Sequence, residues 1–198
     1  MASFSESFQG WDKYVENSRG QPPRELLGRA LQFVPVRGSA IDVGSGALND
    51  TRFLLDEGFA SVTALDSAPI AQDIADTMPA DRFRYVISTF EAFDFPVAAY
   101  DLVNAQYALP YIHPDHFDAV FARICASLKP GGILTGQLFG NFDDWAATPG
   151  MSFHTLAQAR ALLSDLRPLE FEEHDEPDSQ TLSGKAKHWH YYDFIVRR

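Results

Sequence analysis

Short apolar runs alternate along this chain with stretches whose apolar residues recur every three or four positions, a pattern that predicts a parallel sheet covered by helices. Leu26, Leu27, Ala30, Leu31 and Val34 share one helical face after Pro22 and Pro23, and residues 39–43 follow as a first strand. Residues 49–57 read as a short helix stopped by Gly58, and 61–65 as a second strand ending at Asp66. Ser67 and Pro69 open another predicted helix with Ile70, Ile74 and Met78 inward. Residues 84–87 and, past Pro96, 101–105 give a third and a fourth strand. Phe117, Val120, Phe121, Ile124 and Leu128 form the apolar stripe of a helix over 113–128. Pro130, Gly131 and Gly132 then turn the chain into a fifth strand, 133–139. The last third changes rhythm: a polar, aromatic loop over 140–152, a helix over 155–166, and strand-like runs at 169–173 and 189–196. A turn over 175–186 separates these runs, and they are expected to pair antiparallel at one sheet edge.

Composition narrows the picture. A chain of 198 residues suits one domain with a sizeable core. Its 16 Lys and Arg against 27 Asp and Glu give a net charge of −11, which argues against a surface that tracks phosphates, so nucleic acid is not an expected partner. A small or cationic substrate fits that balance, although a negative surface also simply keeps a protein dissolved. Cys125 is the only cysteine, so no intrachain disulfide forms, and its place beside Phe121 and Leu128 reads as core. Residues 1–10 show no basic start followed by an apolar run, and no later stretch reaches the length of a membrane span. A cytoplasmic protein without membrane attachment is therefore expected. The acidic stretch 170–178 has no coordination pattern, and no metal is expected.

The informative chemistry lies where the first strand meets its crossover helix, in Ala40-Ile41-Asp42-Val43-Gly44-Ser45-Gly46-Ala47. Glycines at 44 and 46 let the backbone turn sharply at the carboxyl end of a strand, where open α/β sheets bind ligands, although a tight strand-to-helix connection needs them equally. Asp66, twenty residues after Gly46 and at the end of the next strand, is placed to accept both hydroxyl hydrogens of a ribose, or alternatively to cap the following helix. A dinucleotide site needs a third small residue, and that position is Asn49. Asp42 would repel a phosphate but suits a cationic amino-acid moiety. The combination favours a nucleoside cofactor without phosphates.

With Ile41-Asp42-Val43-Gly44-Ser45-Gly46, Ala64-Leu65-Asp66, Tyr100-Asp101-Leu102-Val103 and Leu128-Lys129-Pro130-Gly131-Gly132 in this order, the chain resembles the class I S-adenosylmethionine-dependent methyltransferases over residues 24–140. Within that class it is most similar to the short tellurite-resistance-type and related small-molecule methyltransferases. The resemblance implies an α/β, Rossmann-like three-layer sandwich with a mostly parallel seven-stranded sheet and an antiparallel C-terminal edge strand. It implies a single methyltransferase domain over 1–198, with a helical segment at 1–37 over the cofactor, a cofactor-binding half at 38–140, and an acceptor side at 141–198. S-adenosylmethionine would be the cofactor and S-adenosylhomocysteine the product. Asp42, Gly44, Ser45 and Gly46 would line its methionine and ribose portion, Asp66 the ribose hydroxyls, and Ser67, Thr89 and Phe90 the adenine, Thr89 standing where an Asp is common. Ala105 and Gln106 would pass beneath the sulfonium, and Trp11 and Tyr14 would close over it. One departure is Leu48, where the family has a third glycine.

Methyl transfer from a sulfonium needs chiefly alignment and desolvation, so a dedicated catalytic residue is not required. If the acceptor must lose a proton, the candidates are His188 first, then Tyr107, with His113, His154 and His190 also in reach of neutral pH. His113 also reads as a helix start before Pro114, and His188 and His190 as alternating strand residues. Trp145 is a candidate lid residue. The expected partner is a small-molecule methyl acceptor and the expected state a monomer or homodimer. A noncatalytic S-adenosylmethionine- or nucleoside-binding module is the alternative, with an NAD(P)-dependent oxidoreductase behind it because of Asn49.

Overall fold

The computed structural model describes residues 10–181 and 184–198. Strands β1 (Ser39–Val43), β2 (Ser61–Asp66), β3 (Phe83–Ile87), β4 (Tyr100–Ala105), β5 (Leu128–Gly140), β6 (Phe153–His154), β7 (Arg167–Gln180) and β8 (Ala186–Arg197) belong to one sheet. Its order is β3-β2-β1-β4-β5-β8-β7, with β6 beside the end of β5. The first five strands of that order run parallel, and β8 is antiparallel to both β5 and β7. The expected antiparallel pair is therefore present at one edge. The last strand of the chain lies inside it, and β7 forms the outer border.

Helices α1 (Trp11–Ser18), α2 (Glu25–Ala30), α3 (Asn49–Asp56), α4 (Gln72–Ala75), α5 (Pro114–Ser127) and α6 (Leu156–Leu162) cover the sheet. Because side chains alternate across a strand, the central strands feed two cores at once. Ile41, Val43, Val103, Leu134, Leu138 and Phe194 meet Phe117, Val120 and Ile124 of α5 on one side. On the other, Ala40, Val62, Leu102, Ile133 and Ile195 meet Leu26, Leu27 and Ala30 of α2 and Leu54 and Leu55 of α3. Helix ends follow their caps: the His113 ring accepts from the Asp115 N–H at 3.2 Å with Pro114 in the first turn, and Thr155 and Gln158 close a capping box on α6. Cys125 lies within α5, and burial pushes its thiol up to about 12, which suits the core.

Beyond β5, which begins at Leu128 and runs through the turn expected at Pro130-Gly131-Gly132, and β6, which makes the expected seven strands eight, three elements differ from the sequence pattern. The helix expected from Ser67 is only the four residues of α4, because residues 67–71 turn back around Asp66 and seat Ala71 and Ala75, not Ile70, in the interior. The second difference is α6, which stops at Leu162 where its periodicity extended to 166. Finally, the turn expected over 175–186 is mostly strand, since β7 continues to Gln180 and β8 begins at Ala186, with an irregularity between Glu176 and Ser179. Polar residues read as loop here, but an edge strand with solvent beside it tolerates them. Among the described residues, no helix is long and apolar enough to cross a membrane.

Candidate active site

The loop after β1 is built by its glycines. Gly44 and Gly46 have φ of 73° and 49°, and a Cβ on Gly44 would lie 2.7 Å from that of Ala108, so only glycine fits there. Gly46 faces open space, its nearest neighbours being 4.0 Å away, one of them Val15 of α1. The Gly46 N–H donates to Asp66 Oδ2 at 2.9 Å and the Ala68 N–H to Oδ1 at 3.3 Å. Asp66 therefore turns the chain beside the glycine loop and does not cap α4. Burial raises its pKa while these backbone donors hold it down. In the same loop the Ser45 hydroxyl is buried without a hydrogen-bond partner among the described residues. Leu48 keeps the left-handed backbone of the family's third glycine, with φ 61°, by burying its side chain against Ala64, Ala71 and Ala75.

Alternation in the central strands sets a row of polar side chains across the sheet on the α2 side. Asp42, opposite Asn104 in register, is 2% exposed and accepts from Thr51 Oγ1 at 2.6 Å and Asn104 Nδ2 at 2.8 Å. Asn104 also donates to Asp50 Oδ2 at 3.1 Å, and Asp50 Oδ1 accepts the Arg24 N–H at 2.9 Å. Burial first, then Asp50, pushes Asp42 up to about 7. The acid expected to meet a cation thus turns its oxygens to protein donors, while Asp50 shares the negative field. From Asn104 the row continues through Gln106 Nε2 (3.0 Å to Asn104 Oδ1) to Gln137 and Asp193, with 3.0 Å and 2.9 Å contacts from Gln137 Nε2.

The N-terminal segment closes over this end of the sheet. Trp11 meets Tyr14 and Tyr111 edge to face, at 5.9 Å and 4.8 Å between ring centres. Arg19 pairs with Asp73 and so ties α1 to α4. The Tyr14 hydroxyl accepts from Arg24 Nη2 at 2.9 Å, and the Arg24 guanidinium lies 5.0 Å above the Tyr107 ring. On the opposite flank Ser67 is exposed after β2, Thr89 Oγ1 accepts the Ala92 N–H at 3.2 Å, and the Phe90 carbonyl is held by Arg123 while its ring borders Gly44. Ala105 points into the α5-side core, so only its backbone faces the loop. Gln106 joins the polar row.

On the side expected to take an acceptor, Tyr107 has φ 54°, and its N–H donates to Gln137 Oε1 at 2.8 Å. Its ring lies 5.9 Å from that of Tyr191, centre to centre, and burial raises both pKa values. Phe139, Trp145 and Trp189 box the Lys187 ammonium, 3.8 Å from the Trp189 ring centre and 4.3 Å from that of Trp145, and Lys187 is ion-paired with buried Asp143. The histidines scatter. His188 Nε2 lies 2.5 Å from Asp175, and its N–H donates to Asp144. Buried His190 accepts the Phe142 N–H at 3.0 Å and faces Glu173, and His113 caps α5. His154 lies tilted against Phe117, 4.7 Å between ring centres, in a cavity of about 540 Å³ between α5 and α6, separate from the glycine loop. Arg24, Asp50, Gln137 and Asp193 escaped sequence reasoning. The one available signal was a polar residue at the inward phase of an otherwise apolar strand.

Residues 40–132 match a family model described as a methyltransferase domain. The trans-aconitate 2-methyltransferase of Variovorax paradoxus is 32% identical over 132 residues, which cover 65% of this chain and 48% of that protein. The malonyl-[acyl-carrier protein] O-methyltransferase of Prosthecochloris aestuarii is 27% identical over 137 residues, covering 64% and 49%. The 1,6-didemethyltoxoflavin-N1-methyltransferase of Burkholderia thailandensis, solved with S-adenosylhomocysteine, superposes with a TM-score of 0.69 at 20% identity, covering 100% of this chain and 91% of that one. It shares the Rossmann-like fold. Over the matched domain, this chain is similar to S-adenosylmethionine-dependent methyltransferases. It spans about half the length of the curated relatives it matches.

Proposed function

We propose that this chain binds S-adenosylmethionine across the Gly44–Gly46 loop and Asp66 and transfers its methyl group to a small molecule held beside Tyr107. The observation that carries this reading is the cradle itself: an open Gly46 flanked by the Asp66 carboxylate and the unpartnered Ser45 hydroxyl. Asp66 has lone pairs beyond its two backbone donors for ribose hydroxyls. The Asp42 and Asp50 field suits an ammonium group, Ser67, Thr89 and Phe90 border the base, and Trp11 and Tyr14 exclude water from above. When bound, the cofactor supplies a methyl group on a sulfonium, which departs as a neutral thioether. The protein's work is alignment, with residues 141–198 supplying the acceptor wall. Two relatives are named for trans-aconitate and a malonyl thioester, both of which carry carboxylates, so small carboxylic acids are the first acceptors to test.

Calorimetry with S-adenosylmethionine, S-adenosylhomocysteine and NAD tests the cofactor site. Both sulfur ligands should bind and NAD should not. Asp66→Ala should weaken binding by about 10- to 100-fold, the worth of one or two hydrogen bonds to a charged group. Failure of both sulfur ligands to bind the wild type overturns the proposal, as does full affinity in Asp66→Ala.

A further inference from the structure

We infer that Tyr107, Tyr191 and Arg24 form a donor clamp that takes the acceptor by an already ionised oxygen, so that this enzyme methylates an acid's oxyanion without a general base. The inference rests on the methyl-transfer reading above and specifies its acceptor site. Its first support is backbone strain. A left-handed φ of 54° is costly for a bulky aromatic residue, about 1–2 kcal/mol, and persists where neighbours impose it. Gln137 imposes it here: its Oε1 receives the Tyr107 N–H, and its Nε2 is fixed between Gln106 and Asp193. The result sets the Tyr107 ring under the Arg24 guanidinium and beside the Tyr191 ring, 5.9 Å between centres.

Tyr191 is fixed on its other side by the His174 ring, stacked at 4.5 Å and 10°. Each phenol carries one O–H, and Arg24, with one nitrogen on the Tyr14 hydroxyl, keeps further N–H groups. All of these are donors. The titratable groups facing the pair are Arg24 and Tyr14 from the N-terminal segment, and Asp193, His174 and Glu176 from the sheet. Asp193 accepts from Gln137 at Oδ1, and its Oδ2 lies 3.3 Å from His174 Nε2. Burial keeps both phenols protonated far above neutral pH. Tyr107 therefore serves as a donor and not as the base that its sequence position suggested.

An amine or thiol acceptor would have to shed a proton at this site, whereas a carboxylate arrives without one. A lone pair of the bound oxyanion forms the new O–CH3 bond, the C–S bond breaks, and its electron pair stays on sulfur; no proton moves. The products are a methyl ester and the neutral thioether.

The test uses the full chain with labelled S-adenosylmethionine and a panel of trans-aconitate, citrate, malonate and benzoate beside the matching amides and amines. Methyl esters should form on acids only, with kcat/KM flat between neutral pH and pH 9. Tyr191→Phe should lower kcat/KM by about 10-fold and Arg24→Gln by about 100-fold, while the affinity for S-adenosylhomocysteine stays within about 2-fold. Methylation of amines in preference to acids, or a Tyr191→Phe variant at full kcat/KM, overturns the inference. So does an Arg24→Gln variant that loses cofactor affinity but keeps the acceptor KM. If no panel member turns over, thermal shifts of the S-adenosylhomocysteine complex by the acids decide, and their absence also counts against the clamp. Failure of the wild type to bind either sulfur ligand is a separate result that removes the methyl-transfer reading itself.

Discussion

Asp42 is ringed by Thr51, Asn104 and the neighbouring carboxylates Asp50 and Asp66, and its pKa rises from 3.8 to about 7. An acid with a raised native pKa keeps its proton longer in the folded chain. Between 3.8 and 7 the folded state therefore binds more protons than the unfolded one, and this group's contribution to stability falls as pH rises. In Asp42→Asn the amide can still accept from Asn104 and donate to Thr51, so the network survives without the charge. Thermal melts of the ligand-free protein should show a Tm that drops from pH 5 to pH 8. The drop should shrink in the variant by about 1–2 kcal/mol, or about 2–8 °C for a chain of this size. An unchanged drop would assign the titration to another group. Leu48 poses the opposite balance. Glycine there relieves a left-handed backbone worth about 1 kcal/mol but empties a fully buried leucine site worth about 2–4 kcal/mol. Leu48→Gly should therefore lose about 1–3 kcal/mol in denaturant unfolding, and a gain in stability would show that strain outweighs packing.

The parallel half of the sheet was legible because each of its strands is a short apolar run and α5 carries a full apolar stripe. Elements held by their neighbours were not. Beyond Phe171, β7 reads Glu-Glu-His-Asp-Glu, and its extended form comes from pairing with β8, where Glu173 meets His190 and Asp175 meets His188. The site divides along the same line. The glycine loop and Asp66 are local to one strand–turn–helix unit and could be read from spacing. The proposed acceptor wall draws single residues from β4, β5 and β8 and from the segment before α2, which no local window joins. The loop after β5 owes its place to one such distant contact, the ion pair of buried Lys187 with Asp143, whose oxygens also accept the Trp145 and His190 N–H groups. Lys187→Met keeps the bulk between Trp145 and Trp189 but strands a buried carboxylate, a change worth about 2–4 kcal/mol. Limited proteolysis with mass spectrometry should find new cleavage within residues 140–152. Resistance equal to the wild type would mean that the aromatic box alone pins the loop.

At the scale of the whole molecule, the net charge of −11 is concentrated where the sheet most needs it. Glu170, Glu172, Glu173, Asp175, Glu176 and Asp178 all lie on β7, the outermost strand. Glu170 is committed to Arg29 of α2, and so pins this border to the helical layer. The other five are exposed, and a strand border with free N–H and C=O groups is a template for a second copy unless charge repels it. The same charges that masked β7 as a loop in the sequence thus keep its edge single. Glu176 and Asp178 flank Pro177, which has no N–H to offer, beside the irregularity in the β7–β8 ladder. The double variant Glu176→Val, Asp178→Val leaves the Arg29–Glu170, Glu173–His190 and Asp175–His188 contacts intact while removing two of the repelling charges. Sedimentation velocity at neutral pH should show it associating where the wild type holds its size. The wild type should follow only as pH nears its pI of about 4.8, where the acids take up protons and repulsion fades. A double variant of unchanged size would shift the protection from charge to the broken ladder at Pro177. Pro177→Val in the double variant should then release the association.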